Sequence, residues 1–141
     1  MLVLSRHAAL PARVLIAYRR RWSRRPISPV SRRGDQLQWR DPASRYLRRN
    51  VSAPGTGSPV DITEVEFPPG ARVAFHDMRL AGSDQHVWVL DGSLELTVGE
   101  DIHQLESGDC LWMRFGKPVV FHNPTRRAVR YAVVISRGGR P

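Results

Sequence analysis

The chain has 141 residues, enough for one domain built on a single core without covalent staples. Its lone cysteine, Cys110, excludes an internal disulfide framework and suits a reducing compartment, so a cytoplasmic location is expected. The net charge of +9 is unevenly placed: residues 1–50 carry 13 Arg against Asp35 and Asp41, while residues 51–141 carry 9 Lys or Arg against 11 Asp or Glu. The compact part is therefore mildly acidic, and the basic character belongs to the N-terminal side.

Residues 1–34 read as an Arg-rich, poorly structured arm. Leu2, Val3, Leu4, Val14, Leu15 and Ile16 are apolar, but Arg6, Pro11 and Arg13 interrupt them, and no run approaches the roughly 20 apolar residues of a membrane span. Charge follows the apolar part and no small-residue cleavage site stands out, which argues against a secretory signal. A stretch rich in Arg and poor in acids also resembles a transit peptide. Arg19, Arg20, Arg21, Arg24 and Arg25, around Trp22, are candidates for gripping phosphates. The plainer reading of the arm is a solvated tail.

From Gln36 onward, short segments of period-two alternation are separated by Gly, Pro, Asp and Asn, the pattern of a β-sandwich or barrel. Gln36–Arg40 and Arg45–Val51 are predicted strands around Asp41-Pro42, and residues 52–59 form a loop by composition. Val60–Phe67 follows, and Pro68-Pro69-Gly70 turns the chain into Arg72–Phe75. Gln85–Leu90 is predicted as a central strand with Gln85, Val87 and Val89 on one face, and Asp91-Gly92 is a strong two-residue hairpin signal. Ser93–Val98, Ile102–Leu105, Cys110–Arg114, Val119–Asn123 and Val129–Ser136 complete about ten strands. With no long helical pattern, the expectation is an all-β, antiparallel double-sheet barrel over residues 35–137, followed by a short tail at 138–141.

The spacing of Gly70, Gly92, Gly108, Gly116 and Asn123 resembles the two-part signature of the cupin family, which implies a jelly-roll fold. That family places metal-binding His and Glu between those glycines. Here Gln85 stands where the Glu belongs and Val119 where the second motif has its His. The paired His of the first motif would fall near Met78 to Ala81, where no side chain binds a metal. A divalent transition metal needs several His or carboxylate ligands converging on one point, so no metal site and no cofactor are expected. His86 and His122 neighbour inward-facing residues and should point outward. His76, with Asp77, sits in a loop, and His103 belongs to no constellation. Cys110 reads as a buried, inert thiol at a strand start, and Asp109 as a turn residue, so catalytic residues are expected to be absent.

A ligand pocket is the better use of such a barrel. Strand phase nominates Gln85, Val87, Trp112, Arg114, Val119, Phe121 and Asn123 as its lining, with Phe75 capping the opening. Arg114 would suit a carboxylate ligand. The segments WRDPASRYLRRNVS (39–52), VEFPPGAR (65–72), HVWVLDGSLELTVG (86–99), ESGDCLWMRF (106–115) and FHNPTRRAVRYAVVIS (121–136) also resemble the C-terminal sensor half of helix-turn-helix, XRE-type transcriptional regulators. That resemblance implies a domain that binds a small effector and forms a homodimer. The stretch before Gln36, with Pro11, Pro26 and Pro29, lacks a two-helix pattern with a Gly turn. DNA contact is therefore expected only if a separate or missing helix-turn-helix domain supplies it. Two other readings stand beside this one: a cupin enzyme, isomerase or dioxygenase, with an atypical site, and direct nucleic-acid contact through the arginine arm.

Overall fold

The computed structural model describes residues 28–76, 83–114 and 116–137. The arginines at 19, 20, 21, 24 and 25 and the segment from Met78 to Ala81 lie outside them. Among the described residues a 3-10 turn, Arg33–Asp35, precedes ten strands: β1 Gln38–Arg40, β2 Leu47–Asn50, β3 Val60–Phe67, β4 Arg72–Phe75, β5 Asp84–Asp91, β6 Leu94–Val98, β7 Asp101–Leu105, β8 Cys110–Arg114, β9 Val119–His122 and β10 Val129–Ser136. Among the described residues no helix is long and apolar enough to cross a membrane.

The strands form two antiparallel sheets. One has six strands in the order β1-β2-β3-β10-β5-β8 and the other has four in the order β4-β9-β6-β7. The inner face of the larger sheet carries Thr63, Val65 and Phe67 from β3, Gln85, Val87 and Val89 from β5, and Val129, Tyr131 and Val133 from β10, all buried. The smaller sheet answers with Phe75, Leu94, Leu96, Leu105, Val119 and Phe121, also buried. This is the alternation expected when each sheet buries one face. The Asp91-Gly92 hairpin forms as the sequence predicts, between β5 and β6.

The turn that starts β2 matters for the interior. Asp41 accepts hydrogen bonds at Oδ2 from the Ser44 backbone N–H (2.7 Å) and hydroxyl (2.6 Å), the local bonding that makes Asp a turn residue. Arg45 closes the turn with φ of 68° and donates its N–H to the Asp41 carbonyl at 2.8 Å. The chain then enters β2 with Tyr46 and Arg48 facing in. Leu47 and Arg49 face out, and register pairs Arg48 with Val65 and Arg49 with Glu64.

Gly92 and Gly108 both have positive φ, 97° and 93°, but only the first is crowded. A Cβ on Gly92 would sit 3.0 Å from Val129 Cα and 3.1 Å from the Ala128 carbonyl oxygen, whereas one on Gly108 meets nothing within 4 Å. Gly108→Ala should therefore cost about 1 kcal/mol of backbone strain. Gly92→Ala should cost about 3 kcal/mol, because it also forces two backbone segments apart. Urea denaturation of the two variants measures the gap; equal losses would contradict the close approach at Gly92.

Candidate functional site: an aromatic-lined cavity in the barrel

A cavity of about 40 Å³ lies between the sheets, lined by Tyr46, Arg48, Thr63, Val65, Phe67, Phe75, Phe121, Tyr131, Val133 and Ile135. Its walls come from β2, β3 and β10 of the large sheet and from β4 and β9 of the small one. Aromatic rings hold its shape. Phe121 stacks on Tyr131 with centroids 5.7 Å apart, Phe75 meets Phe121 edge-on at 5.4 Å, and Phe67 bridges Tyr131 (6.1 Å) and Tyr46 (5.9 Å). The volume exceeds the roughly 10–15 Å³ that one water needs and falls well short of the roughly 300–1,000 Å³ of drug-sized pockets. Any occupant is small.

Polar residues flank the cavity on β2, β3 and β10 but open almost no polar surface onto it. Arg48 donates from Nη2 to Thr63 Oγ1 at 3.5 Å. Burial pushes the Tyr46 phenol up to about 12, and the Arg48 charge opposes that shift. Tyr131 is likewise raised well above the ordinary phenol range by burial, then by Tyr46, against Arg48. Both phenols therefore remain protonated donors at neutral pH.

The sequence-nominated residues divide into three groups. Phe121 lines the cavity, and Phe75 contributes wall rather than a cap. Gln85, Val87, Val119 and Asn123 face inward and are buried, but they do not line it. Asn123 is occupied with backbone. Its Nδ2 donates to the carbonyls of Phe67 (3.2 Å), Pro68 (3.2 Å) and Arg127 (2.7 Å), and its Oδ1 accepts from the Thr125 N–H and hydroxyl. Trp112 and Arg114 form the third group, and for them the expectation of an inward position is corrected. Register places Trp112 opposite His86 and Arg114 opposite Asp84, with Met113 opposite Gln85. Leu111 and Met113 take the inner face. Trp112 is 51% exposed and donates to Asp84 Oδ2 at 3.0 Å, and the Arg114 guanidinium lies 5.7 Å from the Trp112 ring centroid. Cys110 shares that outer face and is exposed, contrary to the buried thiol expected.

Sequence reasoning missed Tyr46, Arg48 and Thr63. The alternation of Tyr46 and Arg48 was there to be read, but the surrounding arginines made the segment look like a solvated basic stretch.

The residues present do not fit the metal centre that this fold commonly carries. Gln85 is fully buried, its Nε2 donating to Met113 Sδ at 3.2 Å, and its Oε1 has no hydrogen-bond partner among the described residues. A single amide oxygen makes no ligand set, and the Val119 side chain offers no donor atom. Among the described residues no three His, Cys, Asp or Glu side chains converge. His86 is exposed on the outer face of the large sheet. His122 lies on the outer face of the small sheet, its Nδ1 3.2 Å from Glu95 Oε1. Hydrogen bonds from Gln104 and then His122 hold the Glu95 carboxyl below its usual range.

No protein-family model matches the sequence and no curated protein does either. Solved structures do match. The cupin_2 domain of an XRE-family transcriptional regulator from Enterobacter cloacae superposes with a TM-score of 0.60 at 21% identity, over 68% of this chain and 97% of that one. An HTH_3-family transcriptional regulator from Vibrio cholerae gives 0.60 at 14% identity, over 67% of this chain and 53% of its own length. A predicted oxalate decarboxylase from Thermotoga maritima gives 0.64 at 15% identity, over 77% of this chain and 98% of that one. The ten strands therefore make a jelly-roll barrel, and that barrel has the cupin fold, in which regulator domains and enzymes both occur.

The raised phenols set an alkaline limit on stability. Their folded-state pKa values lie above the unfolded one, so their contribution is complete below about pH 10 and is lost as pH rises through the folded values. Unfolding free energy should fall by on the order of 2 kcal/mol between about pH 9 and about pH 12 on account of Tyr46. Denaturant titrations across that range check this, and Tyr46→Phe should flatten the slope. An unchanged slope in that variant would contradict the burial of the phenol.

Proposed function

We propose that this cupin domain is a metal-free, ligand-binding sensor of the transcriptional-regulator type, taking a small effector into the cavity between its sheets. The observation that carries the reading is the aromatic-lined, almost wholly apolar cavity, in a barrel whose metal-ligand positions hold Gln85 and Val119. A concave apolar site with a few oriented polar groups is the usual form of a small-molecule site. The likeness to regulator cupin domains agrees with it. The enzyme reading draws on the likeness to a predicted decarboxylase, but no catalytic group has been placed at the cavity.

Two measurements bear on this together. Purified protein should contain no stoichiometric iron, manganese or zinc. A thermal-shift screen of small acids, amides and amines should yield compounds that raise the melting temperature by mass action, and these should perturb the resonances of Thr63, Val133 and Tyr131. Stoichiometric transition metal, or hits that perturb only the outer faces, would sink the sensor reading.

Dimerisation belongs to the same proposal. On the outer face of the large sheet, Trp88 (47% exposed), Trp112 (51%) and Ile62 (36%) stand beside Ala132 and Val134. Register aligns them in two rows, Ile62–Val134–His86–Trp112 and Glu64–Ala132–Trp88–Cys110. Exposed large apolar side chains gathered on one sheet face mark an interaction surface, and a second copy of the chain is the partner we assign to it. Sedimentation should show a dimer that Trp88→Asp converts to a folded monomer. A wild-type chain that sediments as a monomer at all concentrations would refute the pairing.

A further inference from the structure

The residues around the cavity that carry polar atoms open almost none of them onto it. We infer that the cavity takes an uncharged alkyl group of roughly three carbons, the apolar end of a small effector whose polar end stays outside. This rests on the sensor reading above and says which part of the effector the barrel recognises.

The lining is carbon. Arg48 and Thr63 turn polar atoms to each other, Nη2 donating to Oγ1 at 3.5 Å, and Tyr46 and Arg48 each hold a further interaction. What borders the space comes from the stacked rings of Phe121 and Tyr131, from Phe75 set edge-on to Phe121, and from the branched chains of Val65, Val133 and Ile135.

Desolvation then decides which group enters. A charged or hydrogen-bonding group would give up water and meet no partner, whereas an alkyl group gains from burial. Burial raises both the Tyr46 and the Tyr131 phenol, which marks these surroundings as poor in water. Apolar cavities stay dry, so an alkyl group adds van der Waals contacts with the rings at no loss of ordered water.

Size and access set the rest. The cavity volume of about 40 Å³ is roughly three to four times the space of one water, which a propyl chain fills. Among the lining residues Arg48 and Ile135 are half-buried and the others buried, so the cavity meets solvent on their side. A polar head left at that mouth keeps its hydration, and a solvated charge there contributes little. The chain is selected and the head is not.

The test titrates the full chain by methyl NMR with two sets of probes. Butyrate, butyramide and butylamine share a propyl group, and acetate, acetamide and ethylamine repeat the heads on a methyl group. The propyl set should bind with affinities within about threefold of one another, shifting the methyl resonances of Val65, Val133 and Ile135. The methyl set should bind about tenfold more weakly, for the loss of two methylenes. Val133→Ile, which fills the space, should abolish the shifts; should that variant not fold, Val65→Ile supplies the same arm. A head-group preference above threefold with shifts at the cavity methyls would overturn the alkyl assignment and leave the sensor reading standing. So would equal binding of the two sets. Propyl binding that survives the filled cavity would place the chain elsewhere and overturn the assignment. Cavity methyls that no probe moves would overturn both readings.

Discussion

The double pairing of β10 is the constraint on which the barrel depends. Val129–Ser136 runs antiparallel to Val60–Phe67 along its whole length on one side, and to β5 on the other. Because side chains alternate along a strand, that register puts Val129, Tyr131, Val133 and Ile135 on the inner face together. A slip of one residue would send all four to the outside and bring Arg130 into the core. The irregularity between Arg130 and Tyr131 in the β5 pairing falls beside the close approach of Gly92 to Val129. The close approach at Gly92 and the break in register thus occupy the same end of the sheet. The cavity wall is a consequence of this strand, with β3 bringing Thr63 and Val65 alongside it and β2 bringing Arg48 alongside them.

Within that frame the interior has two chemically different regions. At the position where cupins commonly hold a metal, Gln85 meets Met113, and its Oε1 is left without a partner among the described residues. An unsatisfied buried amide oxygen costs about 1–3 kcal/mol, and thioether sulfur is a weak acceptor for the amide's donor side. Across β10 the polar groups are arranged differently. Arg48, Thr63, Tyr46 and Tyr131 are gathered at the edge of an aromatic surface. Register sets Ile135 directly opposite Gln85, so the two regions adjoin.

Most of the fold was legible in the sequence because turns and alternation are local. The Asp91-Gly92 hairpin, the Pro68-Pro69-Gly70 turn and the run from Val129 to Ser136 each announce themselves within a few residues. The inward phase of β5 and β9 was legible for the same reason. The phase of β8 was not. Cys110–Arg114 offers Cys110, Trp112 and Arg114 on one face and Leu111 and Met113 on the other, and both faces carry a large apolar side chain. Only the partner strand decides between them: register with β5 sets Met113 against Gln85 and turns Trp112 to solvent. A Trp on a sheet's outer face looks like core until its neighbours are known.

The arginines show the same limit in charge rather than hydropathy. Counted by composition, the 13 in residues 1–50 form one basic arm. Six of them (Arg32, Arg33, Arg40, Arg45, Arg48 and Arg49) fall among the described residues, and the fold gives them separate tasks. Arg45 adopts the left-handed turn before β2, and Arg40 donates to the Arg45 carbonyl at 2.9 Å. Arg49 joins Arg130 around Glu64 on the outer face. Arg48, one residue away, faces the cavity because β2 pairs with β3. Net charge bounds what a chain's surface attracts, but which face each charge occupies is set by strand register, which composition does not record.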